Sequence, residues 1–152
     1  MELEQIIENL SSEQKLHRQR QVTALPVTKS IFNELCQIYS QRMFILGTMP
    51  WHQLDGILAA IIHLLSIHKA NTPENTENAN SSKLFLFPKN PDDQSDDEKL
   101  QLKNLVKNTL RILDHTEVRL REQAGLLLST LVSCQNSIYK EVHSELLRMI
   151  DE

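Results

Sequence analysis

The sequence predicts an all-α fold, and two observations lead to this prediction. Apolar residues recur every three or four positions through most of the 152 residues, the spacing that places them on one face of a helix. The chain contains only three glycines, whereas β-hairpins draw heavily on glycine turns. The length suits one domain with a sizeable core, so we expect residues 1–152 to form a single domain.

Helix start and stop signals divide the first part of the chain. Ser11 and Gln14 have the spacing of a capping box, so a helix is expected to start there and to end before Pro26. Pro50 suits the first turn of another helix. The helices expected in this part cover residues 2–10, 11–25, 28–46 and 51–68.

The fourth of these helices carries the widest apolar stripe in the chain, and we expect most of it to be buried. Its stripe supplies most of the predicted core, to which a leucine of a later helix is added. The predicted core residues are Leu54, Ile57, Leu58, Ile61 and Leu128.

The segment 70–95 interrupts the helical pattern and is rich in Asn and Asp. Residues 70–98 carry seven acidic residues against two lysines, so the net acidity of the chain lies here. Such a composition buries too little apolar area to offset the entropy of ordering, and we expect a disordered acidic insertion. The apolar residues 84–87 inside it are interpreted either as a tether that folds back onto the helices or as a docking peptide for a partner.

Helical periodicity resumes near Asp96 and predicts three further helices. The fifth ends near Asp114, and the sixth follows after a short turn. A seventh follows the break at residues 135–137 and reaches the last residue. Links of two to five residues favour antiparallel neighbours.

The stretch that begins at Asp114 resembles the turn and second helix of a HEAT repeat. Leu120 and Arg121 fill the aliphatic–Arg position of that motif, and Ala124 fills its small position. The leucines at 128 and 131 match its later leucines. The resemblance is best over residues 99–134.

This resemblance implies a short HEAT- or armadillo-like α-solenoid, in which antiparallel helix pairs stack on one another. The fifth and sixth helices would form one repeat, and the third and fourth another. The second and seventh would each remain without a pair, and an Asp–Arg pair would bridge successive repeats. An irregular helical bundle is the alternative arrangement.

The sequence offers no catalytic, cofactor-binding or metal-binding constellation. The glycines cannot form a P-loop or a Rossmann turn, and the six histidines have no metal-ligand spacing. His63 and His68 would face different sides of one helix, and the histidines are interpreted as exposed or lightly buried. The two cysteines are interpreted as small core residues. We therefore expect a non-enzyme without cofactor or metal.

The fourth helix has one polar edge, formed by His52, Asp55, His63 and Ser66. His52 and Asp55 lie one turn apart and could form an acid–base pair, but no nucleophile or oxyanion donor lies near them in the sequence. A solvated edge or a set of interhelical hydrogen bonds is the favoured interpretation.

Four basic residues lie at successive i+4 positions on the fifth helix and form what we call the basic ridge, Lys99, Lys103, Lys107 and Arg111. Such a ridge can bind an acidic peptide or a phosphate backbone. It can also be an ordinary solvated face, with the acidic segment upstream as its counter-charge.

Ser95 precedes three acidic residues, Asp96, Asp97 and Glu98, and this pattern has two interpretations. Ser95 suits the N-cap of the fifth helix, with Glu98 completing a capping box. A serine followed by acidic residues also suits phosphorylation by an acid-directed kinase.

The seventh helix presents an apolar band that includes Ile138, Val142 and Met149. A terminal helix of a repeat stack lacks a neighbour on one side, so we expect this face to contact a partner protein, a second copy or downstream repeats.

These patterns favour a non-catalytic scaffold or complex subunit that binds a protein through a helical-repeat surface. The alternative is a nucleic-acid-associated module that uses the basic ridge, although a net charge of −4 makes strong nucleic-acid binding unexpected. The N-terminus lacks the pattern of a secretory signal, and the longest apolar run is too short to span a bilayer. We expect a cytoplasmic or nuclear location without membrane contact.

Overall fold

The computed structural model describes residues 3–45, 50–70, 95–134, 140, 142–145, 147 and 148, and these residues form helices without any strand. The all-α prediction is confirmed. The helices are α1 (Leu3–Leu10), α2 (Lys15–Thr23), α3 (Lys29–Met43), α4 (His52–Ala70), α5 (Asp96–Ile112) and α6 (Val118–Cys134), followed by helical residues 142–145. Most of the predicted acidic insertion, residues 71–94, lies outside the described residues.

Local side-chain hydrogen bonds set the starts of α3 and α5. The hydroxyl of Thr28 accepts a hydrogen bond from the backbone N–H of Ile31 at 3.2 Å. The hydroxyl of Ser95 accepts from the backbone N–H of Glu98 and donates to the Glu98 carboxylate, at 3.2 and 3.3 Å. Each cap satisfies an N–H group that has no partner inside its helix. The Ser95 N-cap predicted for α5 is confirmed, but the Glu98 carboxylate accepts from the Ser95 hydroxyl and not from its backbone N–H as a full capping box requires.

The capping box predicted at Ser11 is wrong. The Ser11 hydroxyl donates to the carbonyl of Ile7 at 2.8 Å, so this residue completes the end of α1. The chain then turns, and the Ser12 hydroxyl accepts from the backbone N–H of Gln14. The second helix begins four residues later than predicted, at Lys15, because the serine satisfies the preceding helix instead of starting the next one.

The helix α4 lies at the centre of the molecule and packs against α1, α2, α3 and α6. The four core residues predicted in α4 are all fully buried, and its apolar stripe is the largest contribution of any helix to the core. The prediction for Leu128 is wrong, because this residue is only half-buried. The buried face of α6 instead passes through Ala124, Leu127 and Leu131, which leaves Leu128 at its edge.

The helices pack in sequential pairs, α1 with α2, α3 with α4, and α5 with α6. Contacts between pairs join α2 to α4, α4 to α6, and α3 to α5. The prediction that the second helix lacks a pair is wrong, because α1 packs against it. The short amphipathic α1 does so by burying Ile6 and Leu10.

The pairs α3–α4 and α5–α6 meet in a constant register. The Gln123 amide donates to Asp55 at 3.2 Å, and the Cys134 thiol donates to the carbonyl of Leu65 at 3.3 Å, across separations of 68 and 69 residues. The Tyr39 and Thr109 hydroxyls are 2.9 Å apart across a separation of 70 residues. When the contacting residues of two helices keep the same separation in sequence along the whole interface, the two helices run in the same direction. Therefore α4 is parallel to α6. A second contact between α3 and α5, the Lys29–Glu98 ion pair, has a separation of 69 residues. Therefore α3 is parallel to α5.

No helix within the described part of the chain is long and apolar enough to cross a membrane.

Candidate functional site

A groove of about 730 Å³ lies over α4, between α2 and α6, and we call it the α2–α4–α6 groove. Gly56 and Ala59 of α4 line it. Val22 of α2 and Leu126 of α6 add apolar surface at its sides. Leu126 is 52% exposed, so the groove presents apolar surface to solvent.

Two guanidinium groups lie over the ring of Trp51, just before α4 begins. The guanidinium carbon of Arg119 is 3.8 Å from the centroid of the Trp51 ring, and that of Arg18 is 5.2 Å away. Both distances are within the range of cation–π attraction. Arg119 also pairs with Glu117 at 2.8 Å, and the hydrogen bond it donates holds the pKa of the Glu117 carboxyl below its ordinary value. These contacts hold the tryptophan in place at the groove.

Arg18 is buried and joins α2 to its neighbours. Its Nη1 donates to the carbonyls of Ser12 and Glu13 at 2.8 and 3.1 Å, and its Nη2 lies 3.2 Å from the Asp55 carboxylate. Asp55 in turn accepts from Gln123 of α6. Burying a charge costs less when the charge is paired and hydrogen-bonded, as Nη1 and Nη2 of Arg18 are. The Nε of Arg18 is buried without a hydrogen-bond partner among the described residues. The result is a polar connection across all three helices below the groove.

The polar edge of α4 divides into two parts: His52 and Asp55 bind neighbouring elements, whereas His63 is half-buried and Ser66 is exposed. Asp55 binds Arg18 and Gln123, as described above. His52 Nδ1 lies 3.0 Å from the carbonyl of Ser11, and its Nε2 lies 4.0 Å from Glu13. His52 and Asp55, the hypothetical acid–base pair, are therefore both bound to residues of neighbouring elements.

Arg18 and Arg121 make the same local contacts in α2 and α6. Each is the fourth residue of its helix, and each donates its Nη1 to the carbonyls six and five residues earlier. The Asp–Arg bridge implied by the HEAT resemblance is wrong, because Arg121 binds the carbonyls of its own turn. Asp114 is exposed and forms no ion pair with another described residue. Sequence reasoning missed the role of Arg18, because the expected helix start at Ser11 hid the position that Arg18 shares with Arg121.

Three of the four residues of the basic ridge are exposed on α5, namely Lys99, Lys103 and Arg111. Lys107 is half-buried, and its Nζ lies 3.9 Å from the carboxylate of Glu145 in the C-terminal helical segment. The ridge is therefore a surface feature that is partly neutralised at one position.

The apolar face predicted for the last helix is described only in part. Val142 is half-buried and packs against the core. Ile138 and Met149 lie outside the described residues. The expected contact surface at this end remains a prediction.

Two interpretations of titratable residues are decided by burial. His68 is only 2% exposed, contrary to the expectation of an exposed or lightly buried side chain, and burial lowers its pKa to about 4. Burial raises the pKa of the buried Cys36 thiol, and it raises that of the half-buried Cys134 to about 11. Both cysteines are therefore protonated at neutral pH, which agrees with a packing role.

The described residues contain no group of three potential metal ligands.

Comparison of this chain with protein-family models, with curated proteins and with solved structures finds no match.

Proposed function

We propose that this chain is a non-catalytic protein-interaction module, built as a short HEAT- or armadillo-like α-solenoid. In this proposal the α2–α4–α6 groove holds a segment of a partner protein. The observation that carries the proposal is the groove itself, which lies on three helices, exposes apolar surface at Leu126 between polar side chains, and contains a tryptophan contacted by two arginines.

The helix contacts support a repeat architecture. In stacked repeats each unit contacts its neighbours through equivalent positions, so contact separations are constant along the interface. The separations of 68 to 70 residues between the α3–α4 and α5–α6 pairs follow this rule. Leaving out residues 71–94 reduces the separation to about 45 residues, within the ~40–47 residues of HEAT and armadillo units.

The chemistry of the groove supports a protein ligand. Tryptophan and arginine are enriched among the residues that contribute most to protein–protein binding, and both are present here beside exposed apolar surface. The charged residues that line the groove carry both signs: Lys15, Arg18 and Arg119 against Glu13, Asp55 and Glu122. Arg18 is paired with Asp55, and Arg119 is paired with Glu117 beside the groove. A ligand with mixed apolar and polar groups suits such a surface better than a polyanion does.

A charge placed on the groove wall tests the proposal. Leu126→Glu should remove bound partners from affinity capture of the full chain, because a carboxylate would have to be desolvated against the partner's apolar surface. Val118→Glu is the matched control, since Val118 lies on the same helix, is 49% exposed and does not line the groove. Quantitative mass spectrometry of the captured proteins compares the two variants with the parent.

Both variants should unfold at nearly the same temperature as the parent, because both positions are exposed. Proteins that are lost with Leu126→Glu and retained with Val118→Glu are groove-dependent partners. If the two variants capture the same proteins in the same amounts, the groove is not the binding surface and the proposal fails.

A further inference from the structure

The α2–α4–α6 groove changes in chemistry from one end to the other, because its three helices run in the same direction. Glu13 lies near His52, and Arg18, which follows it in the chain, binds Asp55, so α2 is parallel to α4. The helix α6 is parallel to α4 as well. All three helices therefore begin at the end of the groove where Trp51 lies, and we call this the Trp51 end.

Both walls of the groove supply a basic group at the Trp51 end. Arg119 of α6 lies 3.8 Å from the centroid of the Trp51 ring, and its Nε donates to Glu117. Neither Nη of Arg119 has a hydrogen-bond partner among the described residues, and two such groups can donate together to one carboxylate. Lys15 begins α2 on the opposite wall and forms no ion pair with a described residue. The Trp51 end therefore attracts a carboxylate from both walls.

The opposite end of the groove is apolar. Ala59 lies about 12 Å beyond Trp51 along α4, at ~1.5 Å per residue. Val22 of α2 and Leu126 of α6 flank this level, because the contacts of both walls with Asp55 lie about one turn closer to the Trp51 end. Leu126 is exposed and Val22 is half-buried, so an aliphatic side chain between them would bury apolar surface of both.

We propose that the partner segment in this groove is an extended peptide with one acidic and one aliphatic side chain four residues apart. The carboxylate binds Arg119, with Lys15 adding to the attraction, and the aliphatic side chain packs between Val22 and Leu126. In an extended chain, side chains four residues apart point to the same side and are about 13 Å apart at ~3.3 Å per residue, which matches the groove. The proposal rests on the function proposed above and adds the chemistry of the ligand.

The other residues of the groove narrow the ligand further. Gln19 and Gln123 supply carboxamides from the two walls, and these can pair with the free backbone N–H and C=O groups of an extended chain. A helix has already paired its own backbone groups. Glu13 and Glu122 also line the groove and repel further negative charge. A segment with a single Asp or Glu therefore suits the groove better than an acidic run or a phosphate backbone.

The experiment is an NMR titration of the isotope-labelled full chain at low salt with synthetic serine-rich peptides. One peptide carries Asp four residues before Leu, and a second carries them in the reverse order, since either chain direction fits the groove. We expect one of them to shift the indole N–H signal of Trp51 in a saturable way. Replacing its Asp by Asn, or moving its Leu one residue closer, should weaken binding by about threefold to tenfold.

Arg119→Gln should weaken binding of the Asp peptide by about threefold to tenfold and leave that of the Asn peptide unchanged. Arg20→Gln is the matched control, because Arg20 is an exposed arginine of α2 that does not line the groove. Leu126→Ala should weaken binding without a change in charge. The remaining signals of each spectrum report whether the fold is retained.

The proposal is overturned if neither peptide binds the parent chain, or if the Asn peptide or the shorter spacing binds equally well. It is also overturned if Arg119→Gln weakens binding no more than Arg20→Gln does. If affinity capture with Leu126→Glu still loses partners in that case, the groove binds a ligand of another chemistry. If those partners are retained, the function proposed for the groove fails as well.

Discussion

A single glycine determines how closely α1 approaches α4. A Cβ atom added at Gly56 would overlap the carbonyl oxygen of Leu10, which is backbone and cannot turn away as a side chain can. The same Cβ would also press on the buried Arg18 side chain. Gly56 therefore permits the contact that covers one side of the central helix.

We predict that Gly56→Ala lowers the free energy of unfolding by about 2–4 kcal/mol, because α1 must shift away from α4. Gly125→Ala is a control with the same chemical change. Gly125 lies inside α6, and a Cβ there meets no atom within 4 Å. This variant should gain about 1 kcal/mol, since Ala favours a helix interior over Gly. Urea unfolding measures both values, and equal effects of the two changes would contradict the close contact at Gly56.

At the scale of one element, α5 begins at the Ser95 N-cap that the sequence predicts and the structure confirms. Ser95 binds the backbone N–H of Glu98, and three acidic residues lie in the first turn. These acidic residues lie near the positive end of the helix dipole and stabilise it there. The same residues were also interpreted as a kinase recognition pattern, and phosphorylation of Ser95 remains a prediction.

We expect Ser95→Ala to cost about 1 kcal/mol of stability, because an N–H group of the first turn loses its acceptor. Ser95→Asp should retain most of the stability, since Asp is also a good N-cap. Ser30→Ala is the control, because Ser30 is an exposed first-turn residue of α3 and not its cap. Denaturant midpoints compare the variants. A loss for Ser95→Ala no larger than for Ser30→Ala would show that the cap contributes nothing.

At the scale of the whole molecule, long-range contacts join helices on the two sides of residues 71–94. The Tyr39 hydroxyl meets Thr109, whose own hydroxyl donates to the carbonyl of Leu105. Asp55 meets Gln123 in the other layer. All of these residues lie outside 71–94, so contacts among described residues already connect the two helix pairs.

Replacing residues 71–94 by a Gly/Ser segment of equal length should therefore leave the thermal midpoint nearly unchanged. Equal length keeps the entropy of loop closure similar, so the comparison reports on contacts. Differential scanning calorimetry measures the midpoint. A fall of more than about 5 °C, which corresponds to more than ~1 kcal/mol, would mean that the apolar residues 84–87 pack against the helices.

The positions of the helices could be predicted from the sequence, because apolar periodicity and caps depend on residues a few positions apart. Thus α3, α4 and α5 lie close to their predicted ranges, and the core residues of α4 are correct. The start of α2 was wrong because Ser11 could satisfy either of two helices, and local chemistry does not decide between them. Leu128 is half-buried because of the way α6 is rotated about its own axis against its neighbours. The spacing of the leucines does not determine this rotation.

The candidate sites depend on tertiary structure. Trp51 acquires its role only when packing brings Arg18 and Arg119 to its ring, and these residues are separated by up to about a hundred positions in the chain. Likewise, the α2–α4–α6 groove exists only because α2 and α6 both lie against α4. The sequence by itself determined which residues form helices and which helix face is apolar. Only the tertiary structure decided which helices are neighbours and in what register, because that choice depends on how well distant side chains fit together.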